Sequence, residues 1–384
     1  MQAPRVTGKS LMKEFESLDE PRMARTRLHS LNDILVITIC GFVCGVDTWV
    51  DLQFFAEDRE DWFKTFLELP NGIPSHDTFG RLFAALDPDE FSRCFARWMR
   101  GISKATDGQV VAIDGKTLRR SFDTAGEKAA IHMVSAWATK NQVVLGQVKT
   151  DEKSNEITAI PKLLEMLFLD GSIVTIDAMG CQREIVSCIV SKGADYVISL
   201  KGNQGKLHDE VKAFFDEARA ERFETVPHSY SESLDDTGDH GRREKRRCWV
   251  TSRLDAIKEK VKWPSLTSIA MVEAARTIKG VTTYETRYFI SSLPGDDAAK
   301  VAHAVRSHWG VENNLHWVLD VAFREDESRV RIQNAAENMA MLRHVALNLL
   351  KQATPPRNRK NVSIRSRRNM CGWNQAFLTH VLGL

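Results

Sequence analysis

Two aspartates stand where short apolar runs end. Asp114 closes Val110-Val111-Ala112-Ile113 and precedes Gly115-Lys116, while Asp177 closes Ile173-Val174-Thr175-Ile176. Such runs of branched residues read as strands buried on both faces, and chemistry in a parallel or mixed sheet collects at the carboxyl ends of central strands. An acid emerging there must be solvated at an edge, paired with a base or holding a metal. If both point into one cleft, repulsion raises a pKa unless cations neutralise them, and hard divalent ions with oxygen ligands are the usual answer. Mg2+ is the natural candidate.

A third acid is expected from an inward helix face. The stretch Arg306-Ser307-His308-Trp309-Gly310-Val311-Glu312-Asn313-Asn314-Leu315-His316-Trp317 sets His308, Glu312 and His316 one turn apart. Glu312 sits among apolar and aromatic residues, a context in which idle surface charge is rare. The His, Glu, His spacing also suits zinc, but the HExxH arrangement is absent. Alternatively, both histidines are polar anchors of a packed helix. Asp320, Glu325, Asp326 and Glu327 remain alternative third ligands, the last three clustering at a loop.

The elements that must carry these acids follow from periodicity. Residues 1–103 alternate helix-period apolar runs (33–46, 47–67, 75–86, 89–98) with turn signals, an all-helical region. Within it, Ile73-Pro74-Ser75-His76-Asp77-Thr78-Phe79 reads either as a helix-turn-helix entry or as an ordinary capped helix. Arg22, Arg25, Arg27 and His29 form a basic arm or a solvated loop. The pattern then turns to strands at 110–113, 131–138 and 143–148, a helix over 155–168, a strand at 173–176, a helix over 182–191 and a strand at 196–200. This βββαβαβ order defines an α/β unit with a mixed sheet.

The rhythm is lost over 205–295, where strand-like segments at 248–251, 267–272 and 283–291 surround the run His240-Gly241-Arg242-Arg243-Glu244-Lys245-Arg246-Arg247; this reads as a β-rich basic insertion. Helices resume over 296–352, and 353–384 reads as a basic tail. From Lys351 through Arg357, Arg359, Lys360, Arg365 and Arg367 to Arg368 there is no acid.

Composition bounds the class. The chain has 384 residues, 43% apolar and 27% charged, which excludes a wholly disordered, collagenous or coiled-coil chain and is long enough for a catalytic core with accessory parts. With 53 basic and 51 acidic side chains, any basic surface must come from local clustering. The apolar stretch 34–46 is about two-thirds of the ~20 residues a membrane helix needs, so it reads as a core helix. Seven cysteines without a CxxC pair and no signal-peptide pattern point to a reducing, cytoplasmic setting, with Cys40 and Cys44 as core thiols.

On motifs spread nearly end to end, the sequence resembles the bacterial DDE insertion-sequence transposases of the H-repeat-associated, Rhs-linked group. The matching residues are Gly72 to Phe79, Ile113-Asp114-Gly115-Lys116-Thr117, Asn155-Glu156-Ile157, Asp177-Ala178-Met179, Leu200-Lys201-Gly202-Asn203-Gln204, His240-Gly241-Arg242, and His308 to Asn313 leading to Leu315-His316-Trp317. The resemblance implies an RNase H-like core whose triad maps onto Asp114, Asp177 and Glu312. It also implies that the insertion lies between the last core strand and the helix bearing the glutamate. One departure stands out. Related cut-and-paste enzymes carry a Y-R-E-K signature around that glutamate, but here its Arg position falls on His308 and its Lys position on Leu319, so those phosphate-positioning roles do not carry over. Lys201, Arg287 and Arg306 are the candidate substitutes.

The expected activity is cleavage at element ends and strand transfer of the 3′-OH into target DNA. Asp114 would bridge two Mg2+ ions, with Asp177 holding one and Glu312 the other, and Mn2+ able to substitute. The alternatives are an RNase H-like nuclease without strand transfer and a catalytically idle DNA-binding repressor. Expected phosphate contacts are Lys116, Lys201, Arg242, Arg243, Lys245, Arg246, Arg247, Arg287, Arg306, His308, Arg365, Arg367 and Arg368. Trp249 is a candidate for base stacking, with a core role the stronger reading. The partners expected are double-stranded DNA, at element ends and target, and a second copy in the synaptic complex, with no membrane and no nucleotide cofactor.

Overall fold

The computed structural model describes residues 7–103, 108–122, 129–150, 155–236, 242–356 and 361–384. Arg357, Arg359 and Lys360 of the tail lie outside the described residues, as do His240, Gly241 and the side chain of Arg242. Helices α1 (Gly8–Phe15), α2 (Leu31–Val43), α3 (Trp49–Asp58), α4 (Glu60–Phe63), α5 (His76–Ala85) and α6 (Pro88–Ser103) come first. Ser30 caps α2 by accepting from the Asp33 N–H at 3.0 Å. Every residue of α2 from Asp33 to Val43 is buried in protein. An all-round apolar helix of this length is a core helix, and among the described residues no helix is long and apolar enough to cross a membrane.

Next come β1 (Val110–Thr117), β2 (His132–Ala138), β3 (Val143–Lys149), α7 (Glu156–Met166), β4 (Ile173–Ile176), α8 (Arg183–Ser191), β5 (Asp195–Leu200), α9 (Gly205–Ala220), β6 (Ser229–Asp235), β7 (Arg242–Thr251), β8 (Ser268–Ile278) and β9 (Val281–Ser291). The nine strands form one sheet in the order β3-β2-β1-β4-β5-β9-β8-β7-β6. Its first half is the expected RNase H-like mixed sheet: β3, β2 and β1 are antiparallel, and β1, β4 and β5 parallel.

The insertion is less separate than its sequence suggests. Strand β9 pairs antiparallel with β5, so β6 to β9 extend the core sheet. The charge run lies within β7, where alternation sends Glu244, Arg246 and Cys248 to one face and Arg243, Lys245, Arg247 and Trp249 to the other. Ion pairs support so polar a strand: across strands Glu232 on β6 meets Lys245 at 2.8 Å and Arg247 at 3.2 Å and Arg276 on β8 meets Glu244 at 3.5 Å, while within β7 Glu244 meets Arg246 at 2.6 Å. Helix α9 is the element the strand-dominated reading of 205–295 omitted.

Helix α10 (Ala298–His308) crosses one sheet face over its own apolar cluster, which includes Val110, Ile173, Val197, Val250 and Val301. A π-helical turn, Glu312–His316, leads into α11 (Trp317–Phe323), followed by α12 (Ala335–Gln352), α13 (Ile364–Trp373) and α14 (Gln375–Leu382). Helix α12 is buried from Ala335 to Leu350 and joins the N-terminal helices to the sheet. Its Asn348 side chain pairs with both backbone groups of Val144 on β3, at 2.9 and 2.8 Å, and Asn338 donates to Phe83 O and Leu86 O behind α5. One apolar cluster accordingly runs from Leu11 to Leu382 through both regions.

Candidate active site

Register places the two aspartates. In the parallel ladder Ile113 lies opposite Ile176, so Asp114 and Asp177 follow side by side where that pairing ends; Asp177 lies just past β4, whereas Asp114 lies inside β1, which runs on beside β2 to Thr117 instead of closing at Ile113. Adjacent strands are about 4.8 Å apart. Both aspartates line a cleft of about 210 Å3 together with Thr175, Lys201, Arg287, His308, Trp309 and Glu312. Glu312 reaches this cleft from the π-helical turn that follows α10.

The loop after Asp177 is braced from β5. Asn203 donates to Ala178 O at 2.6 Å and Gln204 to Cys181 O at 2.8 Å, while Asp177 Oδ1 accepts from the Met179 N–H at 2.9 Å. That division of labour accounts for Lys201-Gly202-Asn203-Gln204: the amides hold the loop and the exposed lysine faces the cleft.

Glu312 opens the π-turn, and one face of its helix follows the sheet edge in steps of four residues. His308 Nδ1 lies 3.1 Å from Thr175 Oγ1, Glu312 faces the cleft, His316 Nδ1 lies 3.7 Å from Asp114 Oδ2, and Asp320 pairs with Lys116. Four α-helical residues rise about 6 Å and two strand residues about 6.7 Å, so the helix keeps pace with the strands. A four-residue α-helical step overshoots a turn by about 40°; a π-turn, with more residues per turn, undershoots it. The π-turn thereby keeps Glu312 and Asp320 on one face.

The electrostatics concentrate on Asp114. Burial, against a lowering hydrogen bond from the Gly115 N–H, pushes its carboxyl up to about 7, and the charges of Glu156, Asp177 and Glu312 push the same way. Burial lowers His308 and takes His316 down to about 4, so both rings are neutral at neutral pH. Carboxylates lining one cleft, with Asp114 raised in proton affinity among them, suit a hard divalent cation in donor type. Among the described residues, however, no three or more His, Cys, Asp or Glu are gathered into a ready-made ligand set.

Glu156, in the Asn155-Glu156-Ile157 stretch, is a further acid close to β1. Its Oε1 lies 2.8 Å from His132 Nε2, and His132 Nδ1 lies 2.9 Å from Thr117 Oγ1. A Cβ on Gly115 would come within 2.2 Å of that carboxylate and 2.3 Å of the imidazole. Glycine after Asp114 is therefore what lets the Glu156–His132 pair close against β1. The signal lay in Asn155-Glu156, a capping asparagine with the acid at the helix's first position.

Several expected phosphate ligands sit elsewhere. Lys116 is only 12% exposed and is tied to Asp320, Glu325 and Asp326, because β-alternation turns it toward α11. Those acids, once alternative metal ligands, answer this buried lysine. Arg368 is 3% exposed and donates to Phe42 O, Val46 O, Ala322 O and Asp47. Arg367 donates to the carbonyls of Leu350, Ala353 and Val362. In both cases free carbonyls at helix ends and turns capture the guanidinium, leaving Arg365 as the exposed arginine of the three. His308 is held on Thr175 and is no cation. Arg22 is likewise held, by Glu20 at 2.7 Å. Trp249 stacks on Phe223 at 5.3 Å and 6°, the core role.

Arg287, Arg306, Trp309 and Glu312 also line a second groove of about 510 Å3, which continues along β7 and β8 past Arg246, Arg247 and Arg276. Arg287 is partly answered by Glu285 at 2.7 Å and lies over the Trp309 ring at 4.9 Å. Exposed Arg243 lies 3.4 Å from Asp236.

A mixed sheet of RNase H-like order, with Asp114 and Asp177 side by side where the β1–β4 pairing ends, defines the class of fold. The chain belongs to the Transposase DDE domain family, whose model matches residues 105–349, and the DDE_Tnp_1-associated model matches residues 12–99. Within it, the relatives are those of the H repeat-associated group. The chain is 39% identical to "Putative transposase YncI" of Escherichia coli O157:H7 over 97% of this chain and 94% of that one. It is 41% identical to "H repeat-associated putative transposase YhhI" of Escherichia coli K12, covering 89% of this chain and 90% of that protein. Among solved structures it is similar to a piggyBac transposase in a synaptic complex with hairpin DNA, with a TM-score of 0.39 and 11% identity over 98% of this chain and 77% of the other.

Proposed function

We propose that the chain cleaves DNA at the ends of an insertion element and joins the freed 3′-hydroxyl to target DNA, using Asp114, Asp177 and Glu312 as its metal-holding acids. The observation that carries this reading is the Ile113–Ile176 register, which sets two carboxylates side by side at a cleft that Glu312 also lines. Bound Mg2+ would lower the pKa of an attacking water or 3′-hydroxyl and stabilise the leaving oxygen. The chain's own groups hold and orient. Asp114, Asp177 and Glu312 would hold the cation between them, Asp114 being the acid that the charges of the other two act on. Neutral His308 fixes the helix on β4 without competing for the cation. Lys201 and Arg306 offer positive charge where scissile phosphates would lie, and the groove past Arg246 and Arg276 gives the duplex or a separated strand a continuing basic path. A second copy is needed because two element ends must be held together.

Asp114→Asn should bind element-end duplex with wild-type affinity and show no Mg2+-dependent nicking. Retained nicking rejects the assignment. Supplying pre-cut ends and a target plasmid distinguishes a transposase, which gives joined product, from a nuclease that only cuts.

A further inference from the structure

Behind the cleft lies an ionic cluster that the proposed chemistry does not use. Lys116 is two residues beyond Asp114, on the same face of β1. Its Nζ is bonded to Asp320 on α11 and lies 2.8 Å from Glu325 Oε2. Glu325 is 3% exposed, and its other oxygen lies 3.5 Å from an Arg343 guanidinium nitrogen on α12. The cluster ties together the strand of Asp114, the helix that follows Glu312 and the central helix.

We propose that the Lys116–Asp320–Glu325 cluster is a positioning device that sets the approach of Glu312 to Asp114 and so the affinity of the site for its divalent cation. Three features support this over a merely stabilising role. The cluster spans the two elements whose separation decides whether one cation can reach both acids. It stands one four-residue step beyond the His316–Asp114 contact on the same helix face. The opposite end of that face is pinned independently by His308 on Thr175, so Glu312 is bracketed by two anchors, with the π-turn between them. Like-charged carboxylates lining one cleft will not hold a short separation unless the backbone beneath them is fixed.

The inference rests on the reading of Asp114, Asp177 and Glu312 as metal ligands, and its test separates the two. Mn2+ binding to the metal-free full-length chain is followed by electron paramagnetic resonance, alongside nicking as a function of Mn2+ concentration. Lys116→Met alone would strand a buried carboxylate and risk unfolding, so the variants are the double Lys116→Met/Glu325→Gln and the milder Asp320→Asn, with Lys116→Arg as the charge-conserving control. Both neutralising variants should bind Mn2+ at least 10-fold more weakly, with half-maximal nicking shifted by a similar factor and substantially recovered at saturating Mn2+. Lys116→Arg should restore most of the affinity. A stabilising role alone would lower activity at every Mn2+ concentration without moving the midpoint. If wild type binds Mn2+ and both variants bind it equally well with unshifted midpoints, the positioning inference fails while the ligand assignment stands. If wild type binds no Mn2+ at the three acids, both fail.

Discussion

Asp114 is a largely buried carboxyl with a raised proton affinity. Its folded-state value of about 7 lies above the ordinary aspartate value of 3.8, so the folded chain holds the proton more tightly than the unfolded one. Stability of the metal-free chain should then fall as pH rises through that window, with the full penalty present above it. Asp114→Asn is expected to melt at a higher temperature than wild type at pH 8 in EDTA, by the equivalent of at most ~4 kcal/mol, with the difference fading toward pH 4. Scanning fluorimetry at the two pH values checks this, and equal melting at pH 8 counts against it. The aspartate's place directly after an apolar run was legible in the sequence; that β1 continues past it to Thr117 was not. Its crowding by Glu156 was not, because the approach of α7 to β1 depends on the missing side chain of Gly115, and a glycine announces room without saying what fills it.

At the level of elements, the helix bearing Glu312 shows how much a single turn can decide. The spacing of His308, Glu312 and His316 foretold a common face, but a four-residue repeat cannot reveal a π-turn, since α and π turns differ by one residue in pairing and tertiary contacts choose between them. Deleting Asn313 should restore α-helical pairing and rotate the two halves relative to one another by about 100°. With His308 and Asp320 both anchored, Glu312 would leave the cleft. The expected product folds, keeps its circular dichroism and binds DNA, but nicks at least 100-fold more slowly; wild-type nicking would show that the turn is dispensable. Strand β7 makes a complementary point. A run of like charges reads as solvated loop until its partners are known, and the acids that make it a strand come from β6 and from its own alternate face.

For the molecule as a whole, a net charge of +2 leaves DNA binding to local groups, and the fold decides which are available. Arg306→Gln, on the groove, should weaken duplex binding similarly across sequences and reduce the slope of log affinity against log salt by about 1. Arg368→Ala should leave that slope unchanged and lower the melting temperature, because it strips hydrogen bonds from buried carbonyls. Fluorescence anisotropy over a salt series reads both slopes, and a reduced slope for Arg368→Ala would return that residue to the DNA surface. From composition the two arginines are indistinguishable.

Local order along the chain was sufficient for the core: alternating strands and helices in a βββαβαβ series admit few sheets, and apolar runs ending in aspartate mark the ends where acids gather. Those properties depend on neighbours in sequence, so the sequence discloses them. Which charges remain free, how closely α12 binds the N-terminal helices to the sheet, and that the insertion lengthens that same sheet depend on partners 30 to more than 300 residues away. Lys116 meets Asp320, Asn338 meets Phe83 and Arg368 meets Phe42 only after the chain has folded, and packing of that kind has no local signature.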